Sequence, residues 1–343
     1  MMDAQPKIGM GRCFVMGEVA LTHDGSLGQA HALIDAIAAA GGDGVKFQMH
    51  IAEAESTHAE PFRVKFSKQD ATRYDYWQRM AFTEEQWQGL AMHCRDRGTD
   101  FICSPFSIEA VDVLERIGQP FWKVASGEIG HGALMERMIA TGRPVVLSSG
   151  MSPQTETDAA VARVKAGGNQ VGVLQCTTAY PCQPEQVGLN MIPVFRERYG
   201  GWIGLSDHSA TIYAGLAAVT LGIDILELHV TPSREMFGPD VPASVTTGEL
   251  RHLVDGIRFI ERMKASPIDK ESMAAITAPL RAIFTRSLVA RTALLQGHVL
   301  SRTDLALKKP GTGLPESRLG DMVGRRLRRA IEADELLSED HLA

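Results

Sequence analysis

The stretch "IGLSDHSATIYAG" (203–215), followed by "DILELHVTPS" (224–233), sets two short apolar runs before two histidines. Ile203 to Ser206 and Ile225 to Leu228 have the length and β-branched content of interior strands. His208 and His229 therefore emerge where neighbouring strands surface, each with an acid one or two residues earlier. The same design recurs upstream. Strands are expected at 13–19, 44–48, 100–106, 121–126, 144–149 and 171–177, and the two opening runs extend to 202–208 and 225–230. Helical spacing lies between them, in "LGQAHALIDAIAAAG" (27–41), "TEEQWQGLAMHCRDRG" (83–98) and "SIEAVDVLERIG" (107–118). The latter two open on a Thr or Ser cap. Eight strand-then-helix units in about 250 residues match an α/β fold of the (β/α)8 TIM-barrel type better than an open doubly wound sheet. Nearly every strand ends in a polar residue, on the face where such barrels do chemistry.

Past residue 265 the pattern breaks. Pro267 and Pro279 bracket a stretch read as a charged, helix-poor linker, 266–284. In the remaining 285–343, "LVARTALLQGHVLSRTDL" is echoed by "RLRRAIEADELLSEDHL", with the Gly/Pro-rich loop "KKPGTGLP" (308–315) between the halves. This is expected to be a small, pseudo-symmetric β-rich module after a barrel domain at 1–265. At that size it is marginal alone and expected to dock on something.

Bulk composition narrows the function. The 343 residues are 44% hydrophobic and 22% charged, ordinary for a soluble globular chain. A net charge of -6 argues against a general nucleic-acid or membrane-surface binder. Five scattered cysteines without CxxC spacing indicate reduced thiols rather than a disulfide framework or zinc knuckle. No apolar leader and no run of roughly 18 apolar residues is visible, so a cytoplasmic enzyme is expected.

The polar strand ends then carry the chemistry. His208 and His229, on adjacent strands, are either hydrogen-bonded strand-end residues or two nitrogen ligands of a divalent ion, with Asp207 and Glu227 as supports behind them. Lys46 and Lys123 sit inside apolar strands, where an ammonium is costly unless it reaches an opening and an anion. They read as snorkelling lysines, a Schiff-base lysine, or, with Ser126, Ser148 and Ser206, an anion cradle for a small phosphorylated acid. Glu18 is a salt-bridged carboxylate or a general acid/base. Glu128 is a weaker candidate that also suits a helix cap. The glycine-rich pieces do not form GxGxxG after a strand, so a dinucleotide site is weakly supported.

With these residues in hand, the chain resembles the N-acetylneuraminate (sialic acid) synthase family, which includes legionaminic and pseudaminic acid synthases and spore-coat polysaccharide synthesis proteins. The resemblance rests on "GEVALTHDGS", "GVKFQ", "ICSPFS", "WKVASGEI", "VVLSSGM", "LQCTTAYPCQPEQVGLNMI", "GLSDHS", "LELHV" and "GPD", in family order, and on a C-terminal antifreeze-like (SAF) domain carrying "KKPGTGLP". It implies condensation of phosphoenolpyruvate with an open-chain amino sugar, N-acylmannosamine or a relative, to a nonulosonic acid and phosphate. It also implies a domain-swapped homodimer and a divalent ion, Mn2+ first and Mg2+ or Co2+ as alternatives. Position by position, His208 and His229 resemble the metal ligands. Lys46, Ser104, Lys123, Ser126, Ser148 and Ser206 resemble the phosphoenolpyruvate cradle. Glu18, Gln48, Tyr180 and Asp240 resemble sugar and catalytic contacts, and Phe106 and Lys309 further substrate contacts.

Three positions depart from the family pattern. Its "NHNG" is "THDG" here, with Asp24 for asparagine; its "GPDH" is "GPDV", with Val241 for histidine; its "RPG" arginine is Lys309. Lysine cannot supply the planar fork that clamps an acyl group. An altered acceptor sugar is therefore expected. Two rival readings remain beside the synthase: another metal-dependent barrel aldolase or 3-deoxy-sugar-phosphate synthase, and a non-catalytic carbohydrate-binding homologue.

Overall fold

A computed structural model describes residues 7–9 and 11–343. The chain divides into two compact units at Ala265/Ser266.

The first unit is a parallel barrel. Its strands are β1 (Phe14–Ala20), β2 (Gly44–Met49), β3 (Asp100–Pro105), β4 (Trp122–Val124), β5 (Val145–Ser148), β6 (Val171–Cys176), β7 (Trp202–Asp207) and β8 (Ile225–Thr231). They follow one another in the order β3-β2-β1-β8-β7-β6-β5-β4, and β3 lies beside β4 without a ladder, so the barrel is nearly closed. A two-residue strand, β9 (Val245–Thr246), pairs with the end of β8. The fourth strand is shorter than the expected 121–126. It stops at Val124, and Ser126 opens a 3-10 turn with its hydroxyl turned to the Gly150 amide, 3.2 Å away.

Period-two alternation explains both cores. One parity of each strand, including Val15, Phe47, Cys103, Leu147, Leu205 and Leu228, packs against the surrounding helices. The other parity fills the barrel floor with Phe14, Met16, Ile102, Val146, Leu174, Trp202 and Ile225. Gly204 has the same floor parity, and a Cβ there would collide with the Ile225 carbonyl, so glycine lets β7 and β8 close.

The helices start where their caps predict. Thr83 and Gln86 form a reciprocal capping box for Glu84–Asp96, and Ser107 caps Ile108–Ile117 through the Ala110 amide.

The second unit corrects the helix-poor linker. Helices run over Lys270–Ile276 and Ala278–Phe284. Asp269 caps the first through the Ser272 amide at 2.8 Å. Pro279, read as a breaker, sits in the first turn of the second, where no N–H donor is required. Strands β10 (Ser287–Ala290) and β11 (Leu305–Lys308) pair antiparallel around a core of Leu288, Leu300, Leu305, Leu327, Leu337 and Leu342. The echoed halves share one local structure: Ser301 and Ser338 each open a 3-10 turn through a capping box, with Asp304 and with His341.

Candidate active site

Above the apolar floor, the inward parity of the strands turns polar. Glu18, Lys46, Lys123, Ser148, Ser206 and Glu227 point there, topped by His208 and His229, and all line one cavity of about 300 Å³ at the C-terminal end of the barrel. Gln48, Phe106, Ser126, Tyr180 and Asp240 line it too. Ser104 does not. It pairs in register with Gln48 but is fully buried, its hydroxyl without a partner. Lys309 belongs to the second unit, where its ammonium lies 5.3 Å from the Phe284 ring.

Both lysines are almost fully buried and paired with carboxylates. Lys46 forms an ion pair with Glu18 and lies 3.7 Å from Glu227. Lys123 lies 3.4 Å from the other Glu227 oxygen and donates to the Ser148 hydroxyl at 2.8 Å. Ser206 donates to Glu227 at 2.7 Å. Burial acts on all four charges, and neighbours decide the outcome. Burial raises the Glu18 carboxyl, and Lys46 only partly opposes it. Burial would raise Glu227 as well, but two ammoniums and a hydroxyl hold it below the usual carboxylate range. Burial lowers the Lys123 ammonium against the pull of Glu227, whereas Lys46, facing two carboxylates, is raised despite its burial. The result is a pair of caged ammoniums beside serine hydroxyls at an opening.

The histidine rings lie 5.3 Å apart, centroid to centroid. His208 Nδ1 donates to the Thr177 carbonyl at 3.0 Å, which leaves Nε2 as its lone-pair nitrogen. His229 Nδ1 is buried without a partner, and burial lowers that imidazole, so it presents neutral nitrogen. Two imidazole nitrogens beside an open cavity fit a divalent ion that completes its shell from water and substrate. Among the described residues no group of three or more His, Cys, Asp or Glu offers a closed site.

The expected supporting acids have other partners. Asp207 faces away from the cavity parity and accepts from the Ser209 amide and hydroxyl, both at 2.9 Å; burial raises it to about 6. Glu227 serves the lysines and Ser206, not a ring nitrogen of His229. Glu128 pairs with His131 at 3.2 Å and lies outside the cavity lining.

Residues unremarked from sequence also enter the cavity. Cys176 lies 3.9 Å from His208 Nδ1 and accepts from the Ser126 hydroxyl at 3.5 Å. Beside them Gly150 must lack a side chain, since a Cβ would come within 2.7 Å of both the Cys176 sulfur and the Ser126 oxygen. Arg63 lies over the Tyr180 ring at 3.9 Å and donates to Asp240 at 2.6 Å, while Tyr180 rests 4.2 Å from the His208 ring. Of the departures, Asp24 is held by Arg79 at 2.8 Å in a positive-φ turn, and Val241 is buried in the turn after Asp240; neither lines the cavity.

This arrangement can be set against known proteins. The NeuB family model matches residues 33–269, and the SAF domain model matches 285–343. The chain belongs to the NeuB family. It is an enzyme of the synthase kind found in that family. It is 30% identical to the N,N'-diacetyllegionaminic acid synthase of Campylobacter jejuni, over 96% of this chain and 100% of that one. It is also 30% identical to the human N-acetylneuraminate-9-phosphate synthase, over 97% and 93%. Among solved NeuB-like structures, the N-acetylneuraminic acid synthetase of Leptospira borgpetersenii superposes with a TM-score of 0.71 at 26% identity, covering 82% of this chain and 95% of that one.

Proposed function

We propose that the chain condenses phosphoenolpyruvate with an open-chain N-acylated amino sugar, giving a nonulosonic acid and phosphate. The observation that carries the reading is the caged pair Lys46 and Lys123 facing the same opening as two imidazoles, His208 and His229. The ammoniums with Ser126, Ser148 and Ser206 suit a carboxylate and a phosphate, and Arg63, Tyr180 and Asp240 stand where the sugar would extend. In this reading carbon 3 of phosphoenolpyruvate attacks the aldehyde carbon, water adds at carbon 2, and the tetrahedral intermediate expels phosphate with carbon–oxygen cleavage. A divalent ion, Mn2+ by family resemblance, bound by His208 and His229 would supply Lewis-acid polarisation of the aldehyde oxygen. Glu18, bonded to Lys46 and Gln48, holds a sugar hydroxyl and handles its proton.

Phosphate release from phosphoenolpyruvate, measured with Mn2+ across free N-acylated hexosamines, diamino hexoses, plain aldoses and their phosphates, tests this. Release that requires an acylated amino sugar and stops with chelator is expected. Release driven only by plain aldose phosphates would move the assignment to a 3-deoxy-sugar-phosphate synthase, and no release with any acceptor would leave the carbohydrate-binding reading.

The working unit in this reading is a domain-swapped homodimer. The second unit leaves Ile276, Leu280, Ile283 and Phe284 exposed at 71%, 54%, 58% and 62%, an apolar face that a second copy would cover. Ile283→Asp is expected to shift the protein from dimer to monomer by light scattering and to reduce turnover; an unchanged mass would remove that face from the interface. No helix among the described residues is long and apolar enough to cross a membrane.

A further inference from the structure

We propose that His50, held by Glu55, is a positioning residue that fixes the amide of Gln48 so that it donates to Glu18; this rests on the role given to Glu18 above.

His50 follows the last residue of β2 and is only 6% exposed. Its ring is a slab between Trp77, stacked at 3.9 Å and 11°, and Phe106, stacked at 4.2 Å and 24°. Sandwiched faces leave only the ring edge for hydrogen bonding. On that edge Nδ1 meets a Glu55 oxygen at 2.6 Å and Nε2 meets the Gln48 side-chain oxygen at 3.2 Å. The second Glu55 oxygen accepts from the Ile51 amide at 3.4 Å, so the carboxylate is itself anchored.

Donor and acceptor counting gives the consequence. A glutamine amide has one donating end and one accepting end. Glu18 is clamped by Lys46 and accepts from Gln48 Nε2 at 3.0 Å, which turns the Gln48 oxygen toward His50. Two acceptors cannot face each other at 3.2 Å, so Nε2 of His50 carries hydrogen. Between Nδ1 and Glu55 lies a second proton. The His50–Glu55 pair thus holds one proton more than a neutral imidazole beside a carboxylate would. Without it Nε2 is bare and the amide turns over, pointing its oxygen at the Glu18 carboxylate. Glu18 then loses a hydrogen bond and meets a repelling dipole.

Two variants remove the proton or the donor without opening the site. Glu55→Gln is isosteric: its amide oxygen takes the Ile51 N–H, its NH2 faces Nδ1, and His50 goes neutral with its remaining hydrogen on Nε2. His50→Phe keeps the stacked ring and has no donor. His50→Phe is expected to lower kcat about tenfold, as misplacement of a catalytic group does. KM for phosphoenolpyruvate should stay within about twofold, because Lys123 and Ser148 are untouched. His50→Gln, whose amide nitrogen reaches toward Gln48, should recover most of the loss. An unchanged kcat in His50→Phe would overturn the proposal, as would a loss that His50→Gln does not relieve.

A readout independent of turnover separates this proposal from the reaction itself. In protein labelled with 15N-histidine, with the His50 signals identified by their loss in His50→Gln, both His50 nitrogens should be protonated, and in Glu55→Gln Nδ1 should lose its proton while Nε2 keeps it. An unprotonated Nε2 in the native protein would refute the positioning role even if the synthase reaction is found. Failure of every acceptor would remove the synthase reading and leave the nitrogen spectrum to decide His50.

Discussion

His229→Ala is expected to reduce phosphate release to about one-thousandth of the native rate or below, and to abolish Mn2+ binding measured by the paramagnetic resonance of free ion. The magnitude follows from the donor count. His208 spends Nδ1 on the Thr177 carbonyl, so each histidine offers one nitrogen, and no third protein donor among the described residues completes the set. Removing either leaves a single imidazole, which cannot hold an exchangeable ion against water. Lewis-acid assistance is worth several kcal/mol, and about 4 kcal/mol corresponds to a thousandfold in rate. The fold should survive, because His229 Nδ1 has no hydrogen bond to lose. Metal-dependent release at the native rate in a folded His229→Ala protein would show that the histidines are structural strand-end residues.

The barrel was legible because two local rules agreed with the tertiary one. Apolar runs with a polar last residue marked the strands, and Thr83 and Ser107 marked helix starts that packing confirmed. Glu227 was within reach of the same reasoning. In "ILELHV" it stands two residues before His229, so alternation places both on the inward face, yet nearness in sequence made it look like a support for the histidine. Its true partners, Lys46 and Lys123, come from strands distant along the chain. Asp207 shows the converse error: adjacent residues of a strand face opposite ways, so the acid next to His208 could not back it. Ser104 satisfies the parity rule but has no opening above it, a matter of depth that periodicity does not encode. Arg63 and His50 were illegible for another reason. They lie in or beside the long irregular segment after β2, where no period constrains direction and only closure over Tyr180, Trp77 and Phe106 assigns a role. Pro279 misled because proline breaks a helix interior but starts a helix well.

Lys123→Met is expected to fail twice, and the two failures separate structure from function. The ammonium is almost fully buried against Glu227 and Ser148. Its loss leaves Glu227 with Lys46 at 3.7 Å as the remaining compensating charge. Breaking a buried pair from one side costs roughly 3–5 kcal/mol, so the thermal midpoint should fall by several degrees. Phosphoenolpyruvate binding should weaken by at least about a hundredfold, since one of two caged ammoniums for a multiply charged anion is gone. Adding Glu227→Gln removes the stranded carboxylate and keeps its shape. In the double variant the midpoint should return most of the way while phosphoenolpyruvate affinity, followed by calorimetry, stays low. A double variant that regains both would mean that Lys123 is only the counterion of Glu227, and the anion cradle would then have to be rebuilt on Lys46 and the serines alone. Restored stability with persistent loss of affinity would instead show that Lys123 meets the substrate's charge directly, with Glu227 as its partner in the empty cavity.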